Sequence, residues 1–184
     1  MAYFSYLSRL YRFDFSVFTP GELPARPFLS AFCNVLVAGL LYGVSSLLLN
    51  LEQLAVFTDA FSRNVASFLI ILSGVLVALV VHAGGTLFIW TFCRGVGGST
   101  GLLNYYVGTG FAVPLLWPAL PFLAAFGAGY TDLLVLAVLA VGAAAFLAAL
   151  VASLREVSGL RTARLAAALS LTAVFVGCFL YLWL

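Results

Sequence analysis

Residues 65–92 read VASFLIILSGVLVALVVHAGGTLFIWTF. The run contains no Asp, Glu, Lys or Arg, and His82 is its one ionisable side chain. About 20 apolar residues in a helix cross the hydrocarbon core of a bilayer, so this run is long enough to span one. Four further runs share its character, at about 28–51, 102–126, 133–154 and 165–184. The segments between them are short and polar: 52–64 carries Asp59 and Arg63, 94–101 is glycine-rich, 127–132 is a turn, and 155–164 is the most charged stretch of the chain. None is long enough to fold alone. The expectation is an all-α integral membrane protein, a five-span helical bundle over residues 28–184 preceded by an N-terminal segment, 1–27.

Composition agrees. Hydrophobic residues make up 65% of the 184 and charged residues 8%, against roughly half and a quarter in soluble domains. That excludes a soluble globule, for want of polar surface, and equally a disordered chain, which would be poor in apolar residues. The eight cations, all arginine, exceed six acids by a formal +2, too little to imply nucleic acid as a partner. Three cysteines, Cys33, Cys93 and Cys178, without a CxxC indicate neither a disulfide framework nor a zinc site. Cys93, beside Arg94, admits S-palmitoylation, although small apolar filler is the expected role.

Arginine distribution sets the expected orientation. With the N-terminus cytoplasmic and five spans, Arg9, Arg12, Arg26, Arg94, Arg155, Arg161 and Arg164 fall inside and Arg63 alone outside. The C-terminus is then outside. Residues 1–19 do not read as a signal peptide, because Arg9, Arg12 and Asp14 interrupt the apolar stretch. They read as an amphipathic helix, with Phe4, Leu7, Tyr11, Phe15 and Phe18 on one face and Ser5, Ser8, Arg9, Arg12 and Ser16 on the other, a pattern suited to the headgroup layer. Thr19 and Glu22, with Pro20 between, have the spacing of a capping box.

Small residues seed contacts between spans, because burial alone does not drive association in lipid. Gly39 and Gly43 form a GxxxG in the first span, and Ala140, Ala144, Ala148 and Ala152 form a stripe on the fourth, expected to pack within the monomer. Pro114, Pro118 and Pro121 predict a kink or early end in the third span, since each removes a backbone donor and crowds the preceding turn.

Residues able to carry chemistry are few. His82 has no acid in any span as a partner, so a proton relay lacks its second member. Asn34, Ser45, Ser46, Ser73, Thr86, Tyr105, Thr109, Ser170 and Thr172 are the remaining intramembrane polar residues considered, and helix–helix hydrogen bonding is their expected role. The 95–101 segment, GVGGSTG, lacks the lysine of a phosphate loop. No catalytic, cofactor or metal constellation is apparent, and no enzymatic activity is expected.

Two stretches together resemble the Yip1 domain family. One is Gly97-Gly98-Ser99, followed by Tyr105-Tyr106 and Ala112-Val113-Pro114. The other is Arg155-Glu156-Val157-Ser158-Gly159-Leu160, followed by Arg164-Leu165-Ala166. The resemblance covers about residue 20 onward. It implies a five-span, self-associating membrane protein of trafficking or membrane organisation. Gly21-Glu22-Leu23-Pro24 stands where eukaryotic members carry an Asp-Leu-aromatic-Gly-Pro motif, and the acidic cytosolic tail is missing. The chain is therefore more similar to the short prokaryotic branch, in an inner or plasma membrane, and binding of prenylated Rab GTPases is not carried over.

The expected function is a scaffold or adaptor. It would engage the bilayer and a membrane-protein partner, or a second copy, through Arg9, Arg12, Arg155, Glu156, Arg161 and Arg164. One alternative is a small transporter, channel or lipid-moving protein, with His82, Tyr105 and Thr109 lining a path beside the broken third span. Another is an accessory subunit of a larger membrane complex.

Overall fold

The computed structural model describes residues 2–19 and 21–183, with side chains for all of these except 179, 180, 182 and 183. Pro20 and Leu184, placed above in a capping box and at the end of the last apolar run, lie outside the described residues. In chain order the elements are α1 (Tyr3–Tyr11), a 3-10 turn (Phe15–Phe18), α2 (Pro27–Leu49), α3 (Leu51–Leu54), α4 (Ala60–Gly95), α5 (Leu102–Ala112), a 3-10 stretch (Val113–Ala119), α6 (Leu120–Gly127), α7 (Leu133–Ser158) and α8 (Thr162–Trp183). No strand occurs among the described residues.

Four of these helical runs are long and apolar enough to cross a membrane: Pro27–Leu49, Ala60–Gly95, Leu102–Gly127 and Leu133–Ser158. The third is the centre of the bundle. Of its most apolar window, 44% is buried by the rest of the protein, against 6% for α4. The side chains that α4 leaves uncovered include Phe68, Leu69, Leu76, Val77, Val80 and Val81. Such a surface is compatible with a membrane helical bundle and foreign to a soluble one.

The helix ends follow from local chemistry. Asp59 starts α4 by accepting the Ser62 N–H at 2.7 Å, the usual N-cap arrangement. At the other end of the chain, α7 does not stop at Leu154. It runs to Ser158 and ends on Gly159, whose φ of +62° is the left-handed conformation that glycine adopts at a helix C-terminus. The Ser158 hydroxyl then accepts the Leu160 N–H at 3.2 Å. The 155–164 stretch is therefore a last helical turn bearing Arg155 and Glu156, a short link containing Arg161, and a first turn of α8 bearing Arg164. The charges did not end the helix; the glycine did.

Glycines set the closest seams. A Cβ at Gly39 would lie 2.6 Å from the Cα of Val75, and one at Gly43 would lie 2.8 Å from the Ile71 carbonyl oxygen. Gly74 of α4 faces both: its Cβ would lie 2.7 Å from the Gly43 Cα and 2.9 Å from the Gly39 oxygen. Backbone thus meets backbone along α2 and α4. A Cβ at Gly142 of α7 would lie 2.6 Å from the Ala119 methyl group, and one at Gly110 would lie 2.8 Å from that of Ala31.

The alanine stripe of α7 is a correction. Ala140, Ala144 and Ala148 are exposed, so most of the stripe does not pack inside the monomer; Ala152 alone packs at the edge of the core. The buried face carries Val135, Gly142, Ala149, Leu150, Ser153 and Leu154. At 100° per residue Ala140 and Ala144 each lie about 200° from Gly142. Small residues have no pull toward the interior in lipid; the face turned inward is the one on which Gly142 admits the third span.

Candidate functional site

The third span breaks where its prolines fall. The α-helix ends at Ala112, and a 3-10 stretch containing Pro114 and Pro118 leads into α6, which has Pro121 in its first turn. Each proline leaves the carbonyl four residues earlier without its helical donor, and in a bundle core such a group must find another. Gly110, orphaned by Pro114, accepts the Asn34 Nδ2–H at 3.0 Å. Pro114, orphaned by Pro118, accepts the Tyr11 hydroxyl at 2.7 Å. The Trp117 carbonyl, orphaned by Pro121, accepts the Leu120 N–H. Phe111, between the first two, accepts the Tyr6 hydroxyl.

Asn34 is fully buried and organises the rest. Its Oδ1 accepts the Tyr3 hydroxyl, and its backbone carbonyl accepts the Trp117 indole N–H at 3.2 Å. Three tyrosines of the N-terminal segment therefore converge on α2 and the break in the third span. The Tyr6 ring also meets Phe111 edge-on, with centroids 4.8 Å apart. Burial raises the Tyr6 phenol well above its ordinary pKa, which keeps it a donor.

This docking revises the polarity of α1. Its inward residues are Tyr6 and Leu10, both fully buried, whereas Phe4 is 82% exposed. The following turn inserts Val17 and Phe18 into the same core. Of the Phe4–Leu7–Tyr11 line seen in the sequence, Leu7 packs at the edge of the core and Tyr11 reaches the third span, and Phe4 alone turns away. Arg9 is likewise turned onto its own segment. It pairs with Asp14 at 2.7 Å and Glu22 at 2.8 Å and donates to the Ser16 hydroxyl at 2.6 Å. The two carboxylates raise the Arg9 pKa, and hydrogen bonds from Ser16, then from Arg9, hold Asp14 below the usual carboxylate range. Arg9 is thus already neutralised, which counts against a headgroup or partner role for it; Arg12 remains exposed.

A second cluster forms where the 95–101 segment meets the α7–α8 link. The Thr100 hydroxyl donates to the Val157 carbonyl at 2.8 Å, the Arg94 guanidinium donates to the Ser99 carbonyl at 2.9 Å, and the Trp90 indole donates to the Thr100 carbonyl at 3.2 Å. A Cβ at Gly97 would lie 3.4 Å from Arg164 Nη1. Arg94, Arg155, Glu156, Arg161 and Arg164 are all exposed.

The intramembrane polar residues are not gathered into one site. The His82 ring meets Tyr106 edge-on at 4.6 Å, and its Nε2 has no partner among the described residues. Thr109 Oγ1 lies 2.9 Å from Thr86 Oγ1 and donates to the Tyr105 carbonyl at 2.9 Å. Tyr105 is 1% exposed, packed in the core. Two cavities of about 350 Å³ lie elsewhere. One is apolar, between Tyr11, the 3-10 stretch and α7 at Val138, Val141 and Gly142. The other is walled by Phe18, Leu23, Asn104, Gly108, Ser153 and Glu156. His82, Tyr105 and Thr109 line neither. Cys93 is fully buried, which removes it as an acylation site. Among the described residues no three metal-ligating side chains come together.

The capping tyrosines were missed at the sequence level. The signal available was Tyr3 and Tyr6 one turn apart on a segment read for an apolar face through Phe4, Leu7 and Tyr11, and an orphaned carbonyl four residues before each proline. No family model, curated protein or solved structure matches the chain.

Proposed function

We propose that this is a non-enzymatic, multi-pass membrane protein of the Yip1 type, acting as a scaffold or adaptor with one cationic end. The observation that carries the reading is the junction of the 95–101 segment with the end of α7. The Thr100–Val157 hydrogen bond and the approach of Arg164 to Gly97 gather Arg94, Arg155, Arg161 and Arg164 at one end of the bundle. An arginine cluster of this kind suits an anionic leaflet, at about 1 kcal/mol per residue near the surface, or an acidic partner.

The reading includes five spans. Helix α8 has 22 residues, roughly 33 Å at 1.5 Å per residue, and the hydrocarbon core is about 30 Å thick. With α8 as the fifth span, the N-terminus is cytoplasmic, the C-terminus outside, and Arg63 the sole arginine on the far side, in a prokaryotic inner or plasma membrane. The N-terminal segment then lies at the cytoplasmic side, with Phe4 outward at the interface and Tyr6 docked inward. The dispersal of His82, Tyr105 and Thr109 away from both cavities supports a scaffold over a transporter.

Partner capture tests the proposal. The tagged protein is crosslinked in its native membrane, extracted gently and analysed by quantitative mass spectrometry, beside an Arg155→Glu, Arg161→Glu, Arg164→Glu variant whose orientation has been checked by thiol labelling. Stoichiometric partners lost in the variant are expected. Recovery of the wild type alone, together with solute or lipid flux in proteoliposomes, would overturn the scaffold reading in favour of a transporter.

A further inference from the structure

The cavity between the N-terminal segment, α5 and α7 has an uneven wall. Phe18, Leu23, Val107, Phe111 and Val157 make most of it apolar, and Asn104 and Glu156 stand in it as polar groups. Glu156 differs from the other acids toward this end of the chain's fold. Asp14 and Glu22 are both paired with Arg9, whereas Glu156 makes no ion pair among the described residues, although Arg155 adjoins it in sequence. Glu156 also sits in the last turn of α7, beside the negative end of the helix dipole, where a carboxylate is disfavoured and a cation is welcome. Ser153, one turn earlier, is 1% exposed with no hydrogen-bond partner for its hydroxyl among the described residues. Gly108 opposite leaves it room, since a Cβ there would lie 2.8 Å from the Ser153 oxygen.

An uncompensated carboxylate in the wall of a mainly apolar cavity selects a cation with an apolar or amphiphilic body. A primary ammonium can donate to both the Glu156 carboxylate and the Asn104 amide oxygen, and a quaternary ammonium cannot donate at all.

We propose that this cavity is a binding site for a primary ammonium on an amphiphilic body, and that Glu156 is the residue that selects it. An aminophospholipid headgroup and a free ethanolamine ester both present that ammonium. The proposal rests on the placement of this end of the bundle at a leaflet surface, given above.

The test is lipid retention in nanodiscs containing equal phosphatidylethanolamine and phosphatidylcholine of the same chains, with the protein released and read by native mass spectrometry. An exposed carboxylate–ammonium pair is worth a modest amount, so a retained ethanolamine-to-choline ratio of about two to five is expected. Glu156→Gln should bring it to one, and Glu156→Asp should restore part of it. Glycerophosphoethanolamine is added to protein in choline-lipid nanodiscs in the second arm. A thermal shift there that Glu156→Gln abolishes, without lipid enrichment in the first arm, assigns the site to a soluble ligand. A ratio of one in the wild type with no such shift, or enrichment that persists in Glu156→Gln, overturns the proposal. Glu156→Cys labelling by a membrane-impermeant thiol reagent reads the leaflet placement separately. Labelling with neither enrichment nor a thermal shift means that the site fails while the placement stands.

Discussion

The seam between α2 and α4 makes a sharp prediction for Gly74→Ala. A Cβ at that position would fall 2.7 Å from the Gly43 Cα and 2.9 Å from both the Gly43 nitrogen and the Gly39 oxygen. Carbon atoms rest at about 3.5–4.0 Å, so α2 would have to retreat by roughly 1 Å. The obstructing atoms are backbone, which no rotamer change can move aside. The retreat would also loosen the approach of Gly39 to Val75 and of Gly43 to Ile71. Overpacking of this kind costs about 1–3 kcal/mol. Gly84 lies on the same helix and meets nothing within 4 Å, so Gly84→Ala should carry only the helix-propensity gain of up to about 1 kcal/mol. Unfolding in mixed detergent micelles, followed by circular dichroism and intrinsic fluorescence, compares the two. Gly74→Ala should unfold at lower denaturing-detergent fraction than wild type, and Gly84→Ala at the same fraction or higher. Equal stability of Gly74→Ala and wild type, or equal loss in both variants, would refute the backbone-contact argument.

Tyr6→Phe should cost about 1–3 kcal/mol by leaving the buried Phe111 carbonyl bare, and Tyr11→Phe about 0.5–1.5 kcal/mol because Tyr11 is partly exposed; the same unfolding assay ranks them. On α7, Ala148→Leu should stay within about 0.5 kcal/mol of wild type, whereas Ala149→Leu, at a fully buried position, should lose about 1–3 kcal/mol. The Arg9 clasp should respond to acid. Asp14 is held below its ordinary range, so its contribution is complete above the unfolded carboxylate value of about 3.9 and is lost as pH falls below it. Hydrogen exchange over residues 12–19 should accelerate in that window, and Asp14→Asn should show the fast exchange already at neutral pH.

The long apolar runs were legible because length and absence of charge have few other meanings, and α7 and the third span begin where the sequence places them. What the sequence withheld was the direction of each face. In water, apolar residues identify the buried side. Here both sides of α7 are apolar, and the choice between Ala144 and Ala149 rests on whether Gly142 can meet Ala119, a long-range fact. Gly74 went unnoticed for the same reason: its partners Gly39 and Gly43 are visible as a motif, but a lone glycine in α4 is not. The knot at the proline break needed both halves of the chain. Three prolines announce orphaned carbonyls; nothing local says that Asn34 and Tyr11 will satisfy those of Gly110 and Pro114, or that Tyr6 will take Phe111 between them. The charged stretch was legible as charge but not as shape, since Gly159 carries α7 through Arg155 and Glu156.

The tyrosine docking also bears on the order of events during synthesis. Tyr6 and Phe111 are separated by 105 residues, and Tyr11 and Pro114 by 103. Residues 3–11 leave the ribosome before the third span and meet their acceptors only after that span has been made. Until then their hydroxyls must be served by water or lipid headgroups, and when the third span arrives its bare carbonyls are completed by a helix that has been waiting. A bulky fusion at the N-terminus therefore interferes with a late step, the closing of the bundle, rather than with insertion. The affected protein would be membrane-integrated and still improperly folded.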